Sequence, residues 1–211
     1  LKLVDSLTER TTAATDVILG AAAIGAVLCL QLPAQGSPWR IGLWCFFFGF
    51  IAFSAALGAA YHGLALGETK RRVLWQVLTG ALGMAISIFL AGTLYDACGV
   101  DAAMRALPII LAAGLLVFGV SRIFPGLFMV FIVYQVLALA TALFAYGWMA
   151  ASGAMQGAGW MATGALVSMI AAGIQAARRL RLRLVWEFDH NGLFHLVQVL
   201  GLILIGVGLS R

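Results

Sequence analysis

Seven apolar runs, each long enough to cross a lipid bilayer, leave this chain few folds to choose from. A transmembrane helix takes about 17–25 mostly apolar residues. Runs of that order lie at about Thr12 to Leu32, Ile41 to Leu66, Val73 to Leu94, Met104 to Val120, Phe124 to Met149, Met155 to Ala177 and His190 to Leu209. Short polar stretches separate most of them, among them "PAQGSP", "GETKRR", "YDACGVD" and "SRIFPG". The runs are continuously apolar, whereas barrel strands alternate apolar and polar residues over roughly ten positions. The expectation is an all-α, polytopic integral membrane protein with one seven-helix transmembrane domain over residues 1–211.

Composition excludes a soluble globular protein: the chain is 63% hydrophobic and 10% charged, with a mean hydropathy of +1.04. Polar "LKLVDSLTERTTAATD" precedes the first run, so no cleavable signal peptide is expected. There is no fixed-period repeat, low-complexity tail or soluble domain. Lys2, Arg10, Lys70, Arg71, Arg72, Arg122, Arg178, Arg179, Arg181 and Arg183 fall on the side of the N-terminus. Only Arg40, Arg105 and Arg211 fall on the other. Basic residues favour the cytoplasmic side, which predicts a cytoplasmic N-terminus and a C-terminus across an inner or cytoplasmic membrane. The net charge of +5 then reflects topology and attraction to anionic headgroups, with "RRLRLR" as a stop and headgroup segment and no role for nucleic acid.

Cys29, Cys45 and Cys98 show none of the paired spacings of zinc or redox motifs and read as small packing residues. Gly153 and Gly157 stand at the GxxxG spacing that permits close helix approach. Trp39, Trp44, Trp75, Trp148, Trp160 and Trp186 lie mostly near span boundaries and read as an interface belt.

The polar residues are not scattered. Topology brings Glu9, Asp16, His62, Gln76, Asp189, His190, Asn191 and His195 to one level, just inside the cytoplasmic face, and that set holds all three histidines of the chain. Glu9, Thr12 and Asp16 are spaced i, i+3, i+7, and Asn191, His195 and Gln198 are spaced i, i+4, i+7. Each set forms a stripe that should face the bundle interior. Glu9 and Glu187 stand next to arginines and read as solvated or ion-paired. His190 and His195 are about 140° apart on a regular helix, so His190 is expected in the cap region, folded over the helix mouth, with Asp189 a plausible N-cap.

Taken alone, His62 reads as an interfacial histidine. Together with His190 and His195 it makes a three-imidazole set, which suits zinc with a fourth position for water. A carboxylate beside that water would serve as base or hold it, and Asp16, Glu9 and Asp189 are the candidates. "AYHG" closing the second span and "DHNGLFHLVQ" opening the seventh resemble the metal-binding signatures of the CREST superfamily of seven-helix membrane hydrolases, which includes alkaline ceramidases and the progestin and adipoQ receptors. The resemblance implies seven helices, a zinc ion held by one histidine of the second helix and two of the seventh, and hydrolysis of ceramide-like amides. His62 and His195 match the pattern. The family's HxxxH pair has Asn191 in place of its first histidine, its serine one turn before His62 is Gly58, and its third-helix aspartate is missing, with Gln76 the nearest polar residue. Asp16 or Asp189 would replace that carboxylate.

Two function classes follow. One is a zinc-dependent intramembrane hydrolase of a lipid amide or ester, a ceramidase-like lipid amidase, with metal ligands His62, His190 and His195 and catalytic Asp16 and Asp189. The other is a noncatalytic subunit or lipid-binding scaffold of a larger membrane complex, in which the cluster only ties helices together. Membrane lipids are the expected partners in both. A proton-coupled transporter fits less well, because the charged residues do not continue to the opposite face.

Overall fold

The computed structural model describes residues 2–31, 37–124, 128–183 and 185–211. Seven α-helices carry the chain: α1 (Leu7–Gln31), α2 (Pro38–Gly63), α3 (Glu68–Cys98), α4 (Val100–Ile123), α5 (Phe128–Ser152), α6 (Ala158–Ala176) and α7 (His190–Leu209). All seven are long and apolar enough to span a membrane. The "PAQG" stretch after the first span and the Pro-Gly of "SRIFPG" fall outside the described residues.

Most helices extend past their apolar runs, because a helix does not stop where hydropathy falls. α3 begins at Glu68, and its polar first turns include the Glu68–Arg72 pair at 3.2 Å. At 31 residues and 1.5 Å per residue it is about 46 Å long, well beyond the hydrocarbon thickness. α2 ends earlier than expected, at Gly63. Beyond it Leu64 pairs with Leu3 in an antiparallel bridge, closed by Val4 N–H to Gly63 O at 3.0 Å and Ala65 N–H to Lys2 O at 2.9 Å.

Packing partners give the architecture. α1 contacts α2, α2 contacts α3, α3 contacts α5, α5 contacts α6, α6 contacts α7, and α7 returns to α1. Six helices thus form a closed ring. α4 packs mainly along the outside of α3 and leaves Ile109, Leu115, Leu116 and Ile123 exposed. Such exposure is unfavourable in water and costs nothing in lipid.

Other features also differ from the sequence reading. Two short strands pair antiparallel as a small hairpin, β1 (Arg181–Arg183) and β2 (Glu187–Asp189), with Leu182 opposite Phe188. Its Arg-Leu-Arg alternation has the period of a strand. Trp44 does not join an interface belt: it is 1% exposed and packs edge-on against Phe47 and Phe89. Cys29 and Cys98 are exposed free thiols and do not pack the interior.

Of the GxxxG pair only Gly157 makes a close helix approach: a Cβ there would overlap the Gly208 carbonyl oxygen of α7, whereas one at Gly153 would meet nothing within 4 Å. Gly153 (φ 69°) and Gly157 (φ 82°) both lie in the α5–α6 connection, in the left-handed region that favours glycine. The close approach that begins at Gly157 continues along α6 and α7. A Cβ added at Gly164 would lie 2.7 Å from Ile205 Cγ1 and 2.9 Å from the Gly201 carbonyl oxygen. Gly164→Val should therefore lower the thermal midpoint in detergent, with an overpacking cost of about 1–3 kcal/mol. Gly173→Ala, where nothing lies within 4 Å, should leave it unchanged or slightly raised.

Candidate functional site

The ring encloses a cavity of about 120 Å³ near the α1 N-terminal end, lined by residues of all six ring helices. One water needs about 10–15 Å³ by such a measure, so the chamber has room for several waters or a small headgroup. Its walls are apolar along α3, with Leu78, Leu82, Ile86 and Phe89 on one face, and polar where α1, α2 and α7 meet.

The polar end is built from α1 outward. Thr12, Thr15 and Asp16 are all buried. α1 fits closely against α2 because position 58 has no side chain: a Cβ there would lie 2.6 Å from Asp16 Oδ1 and 2.8 Å from its Cγ. The Asp16 carboxylate fills the volume that a side chain on α2 would take. Across from it, His195 Nε2 of α7 is 3.3 Å from Asp16 Oδ1, and His195 Nδ1 is 3.1 Å from Thr15 Oγ1. Thr15 donates its hydroxyl proton to the Thr12 carbonyl at 2.8 Å. With that proton committed, Nδ1–H of His195 donates to Thr15, and a neutral imidazole then presents a lone pair on Nε2 to a carboxylate oxygen. Those two atoms repel unless a positive centre, a proton or a metal ion, lies between them. Asp16 Oδ2 is buried with no hydrogen-bond partner.

His62, in the last turn of α2, donates Nδ1–H to Glu9 Oε2 at 2.8 Å, and its ring lines the same chamber. Asn191, His195 and Gln198 all line it from α7. Gln198 Nε2 donates to Ser168 Oγ of α6 at 3.0 Å, and its Oε1 has no partner. Asp189 is the N-cap of α7. Its Oδ1 accepts from Gly192 N–H at 2.8 Å and from Thr12 Oγ1 at 3.0 Å, which ties the α7 entrance to α1. His190 is the first residue of α7 and is not among the residues lining the chamber. Gln76 does not line it either, and Trp75 stands there instead.

Sequence reasoning missed Thr15, Gln135, Ser168 and Gln175, all of which bond to or line this site. Gln135 and Gln175 are single carboxamides within apolar runs, an intramembrane polar signal of the kind that marked Asp16. At the opposite end of the ring Asp96 is also satisfied. It accepts from Arg40 Nε at 2.6 Å and from Tyr146 Oη at 2.9 Å.

Among the described residues no three of His, Cys, Asp and Glu are grouped closely enough to hold a metal ion. Two donors do stand at a suitable separation. Ligands on a tetrahedral zinc with bonds of about 2.0–2.1 Å are about 3.3–3.4 Å apart. The 3.3 Å between His195 Nε2 and Asp16 Oδ1 matches that edge and is long for a charge-assisted hydrogen bond, which runs about 2.7–2.9 Å. The Nδ1 atoms of both chamber histidines are anchored, His62 on Glu9 and His195 on Thr15, as is usual for metal-ligating imidazoles. His62, His195 and Asp16 share the chamber wall, but among the described residues they are not drawn closely enough together to form one ligand set.

The cap makes a separable contribution. Asp189→Ala should destabilise the protein by about 1–2 kcal/mol, as loss of an N-cap does. Asp189→Asn should keep most of that stability, because its amide oxygen can still accept from Gly192 N–H. Thermal unfolding of the two variants in one detergent measures the difference.

No curated protein and no solved structure matches this chain. Residues 11–211 match the family described as "Family of unknown function (DUF6962)". That match covers almost the whole sequence, and the chain belongs to this family.

Proposed function

We propose that this chain is an integral membrane protein with a cytoplasmic N-terminus, and that its chamber is the reaction site of a zinc-dependent hydrolase of a lipid amide or ester. The observation that carries the reading is Asp16: a carboxylate with an unpartnered oxygen, beside a buried imidazole, inside a chamber whose other walls suit an acyl chain. The resemblance of "AYHG" and "DHNGLFHLVQ" to the CREST signatures adds to it.

Each residue has a part in this reading. His62 and His195 would hold the ion by Nε2, with Asp16 Oδ1 beside them. Bound zinc would supply an acidified water and polarise the substrate carbonyl. Asp16 Oδ2 is free to take the water proton and to return it to the leaving amine or alkoxide. The apolar α3 wall receives the acyl chain and keeps bulk water out. Asp189 is left out of the chemistry, since its Oδ1 serves the α7 cap, and its place on the substrate side passes to Asp16.

The second reading, a noncatalytic subunit or scaffold, has its own support: Glu9–His62, Asp16–His195 and Thr12–Asp189 are each ties between α1 and another element. Elemental analysis of protein purified without chelator or histidine tag separates the two. The hydrolase reading expects about one zinc per chain, lost in His62→Ala and His195→Ala and kept in His190→Ala. It also expects Asp16→Asn to lower turnover of a long-chain amide or ester by about 100-fold or more. Metal-free protein without turnover would leave the structural tie. Reporter fusions at the two ends should report opposite sides of the membrane, with the N-terminus cytoplasmic; both ends on one side would overturn the topology.

A further inference from the structure

The most exposed large apolar side chain among the described residues stands beside the densest cluster of arginines. Val185 is 87% exposed and Trp186 is 67% exposed, next to the hairpin that carries Arg181 and Arg183. Strand register sets Arg183 opposite Glu187 and Arg181 opposite Asp189. Neither arginine forms an ion pair among the described residues. Asp189 is held by Thr12 and Gly192 instead.

Between the hairpin and the first turns of α1 lies a groove of about 490 Å³. It holds Arg10 and Arg183 together with Leu7, Val185 and Trp186, and Glu187 is its one carboxylate. Arg10 is fixed by donating Nε–H to the Val4 carbonyl at 2.6 Å. Along α1 below the groove, Ala14, Val17, Ile18 and Ala21 are exposed at spacings of three and four residues, which makes an apolar track leading away from the two guanidiniums.

We infer that this groove docks an anionic phospholipid. Arg10 and Arg183 hold the phosphate, Trp186 and Val185 sit at the glycerol level, and one acyl chain lies along the α1 track. Guanidinium forks match phosphate oxygens, tryptophan favours the headgroup boundary, and two arginines against one glutamate leave a net positive charge. A zwitterionic lipid brings its own cation and gains less there. The inference rests on the membrane reading above and is independent of zinc and of hydrolysis.

The test uses the full chain in nanodiscs of phosphatidylcholine with or without phosphatidylglycerol, with retained lipid counted by native mass spectrometry. The expected result is a retained phosphatidylglycerol. Arg10→Gln and Arg183→Gln should each reduce it about fivefold, the factor for about 1 kcal/mol per basic residue at a membrane surface. Arg178→Gln, outside the groove, should leave it unchanged. An equal loss in Arg178→Gln would mean a diffuse basic face and overturn the site, as would equal retention of the two lipids by the unaltered chain. A chain that fails to enter the bilayer overturns this inference and the membrane reading together, whereas an inserted chain with no lipid preference overturns this inference alone.

Discussion

A carboxylate inside an apolar ring must find a partner, and the way Asp16 finds one organises the rest of the structure. α1 is the helix that closes the ring, since it lies between α2 and α7. On its α2 side Asp16 occupies the space left by Gly58, and on its α7 side it faces His195. One side chain therefore sets the distance from α1 to two neighbours.

The polar ties are concentrated at the two ends of the ring. At one end are Glu9–His62, Thr12–Asp189, Thr15–His195 and Gln198–Ser168. At the other, Arg40 and Tyr146 share Asp96 and join α2, α3 and α5. Between them Ser87 and Tyr134 bond at 2.9 Å across α3 and α5, and the helices otherwise meet through aromatic and small residues: Trp44, Phe47 and Phe89 on the α2–α3 side, Gly164 and Gly201 on the α6–α7 side. In lipid the hydrophobic effect supplies no drive for helices to associate, so close packing and directional hydrogen bonds carry more of the work than in a soluble bundle.

The proposed site draws on the same chemistry. A brace satisfies its polar atoms, yet Asp16 Oδ2, Gln175 Oε1 and Gln198 Oε1 are buried without partners, and all three residues line one cavity, although one further unpartnered buried atom, Trp44 Nε1, lies outside the chamber. Buried polar atoms left open cost stability, and water, an ion or a substrate headgroup would satisfy them.

The number of helices, their approximate ends and the inward stripes of α1 and α7 were legible in the sequence because each follows from a local rule: run length, or a repeat of three and four residues. The β1–β2 hairpin escaped because a run of alternating arginine and leucine, set between two spans, reads first as a charge signal. Trp44 looked like an interfacial residue by position, and only the arrangement of α2 against α3 made it core. The candidate site is the sharpest case. Spacing along α7 set His190 off the His195 face and at the helix mouth, and there it stands, next to the Asp189 cap and off the chamber wall. Asp16 was marked by its place in an apolar run, but that its carboxylate fits against α2 depends on Gly58, a residue with no chemistry of its own. Patterns along one helix can be read from its own residues; which side chain fills a gap on another helix depends on distances that the fold alone sets.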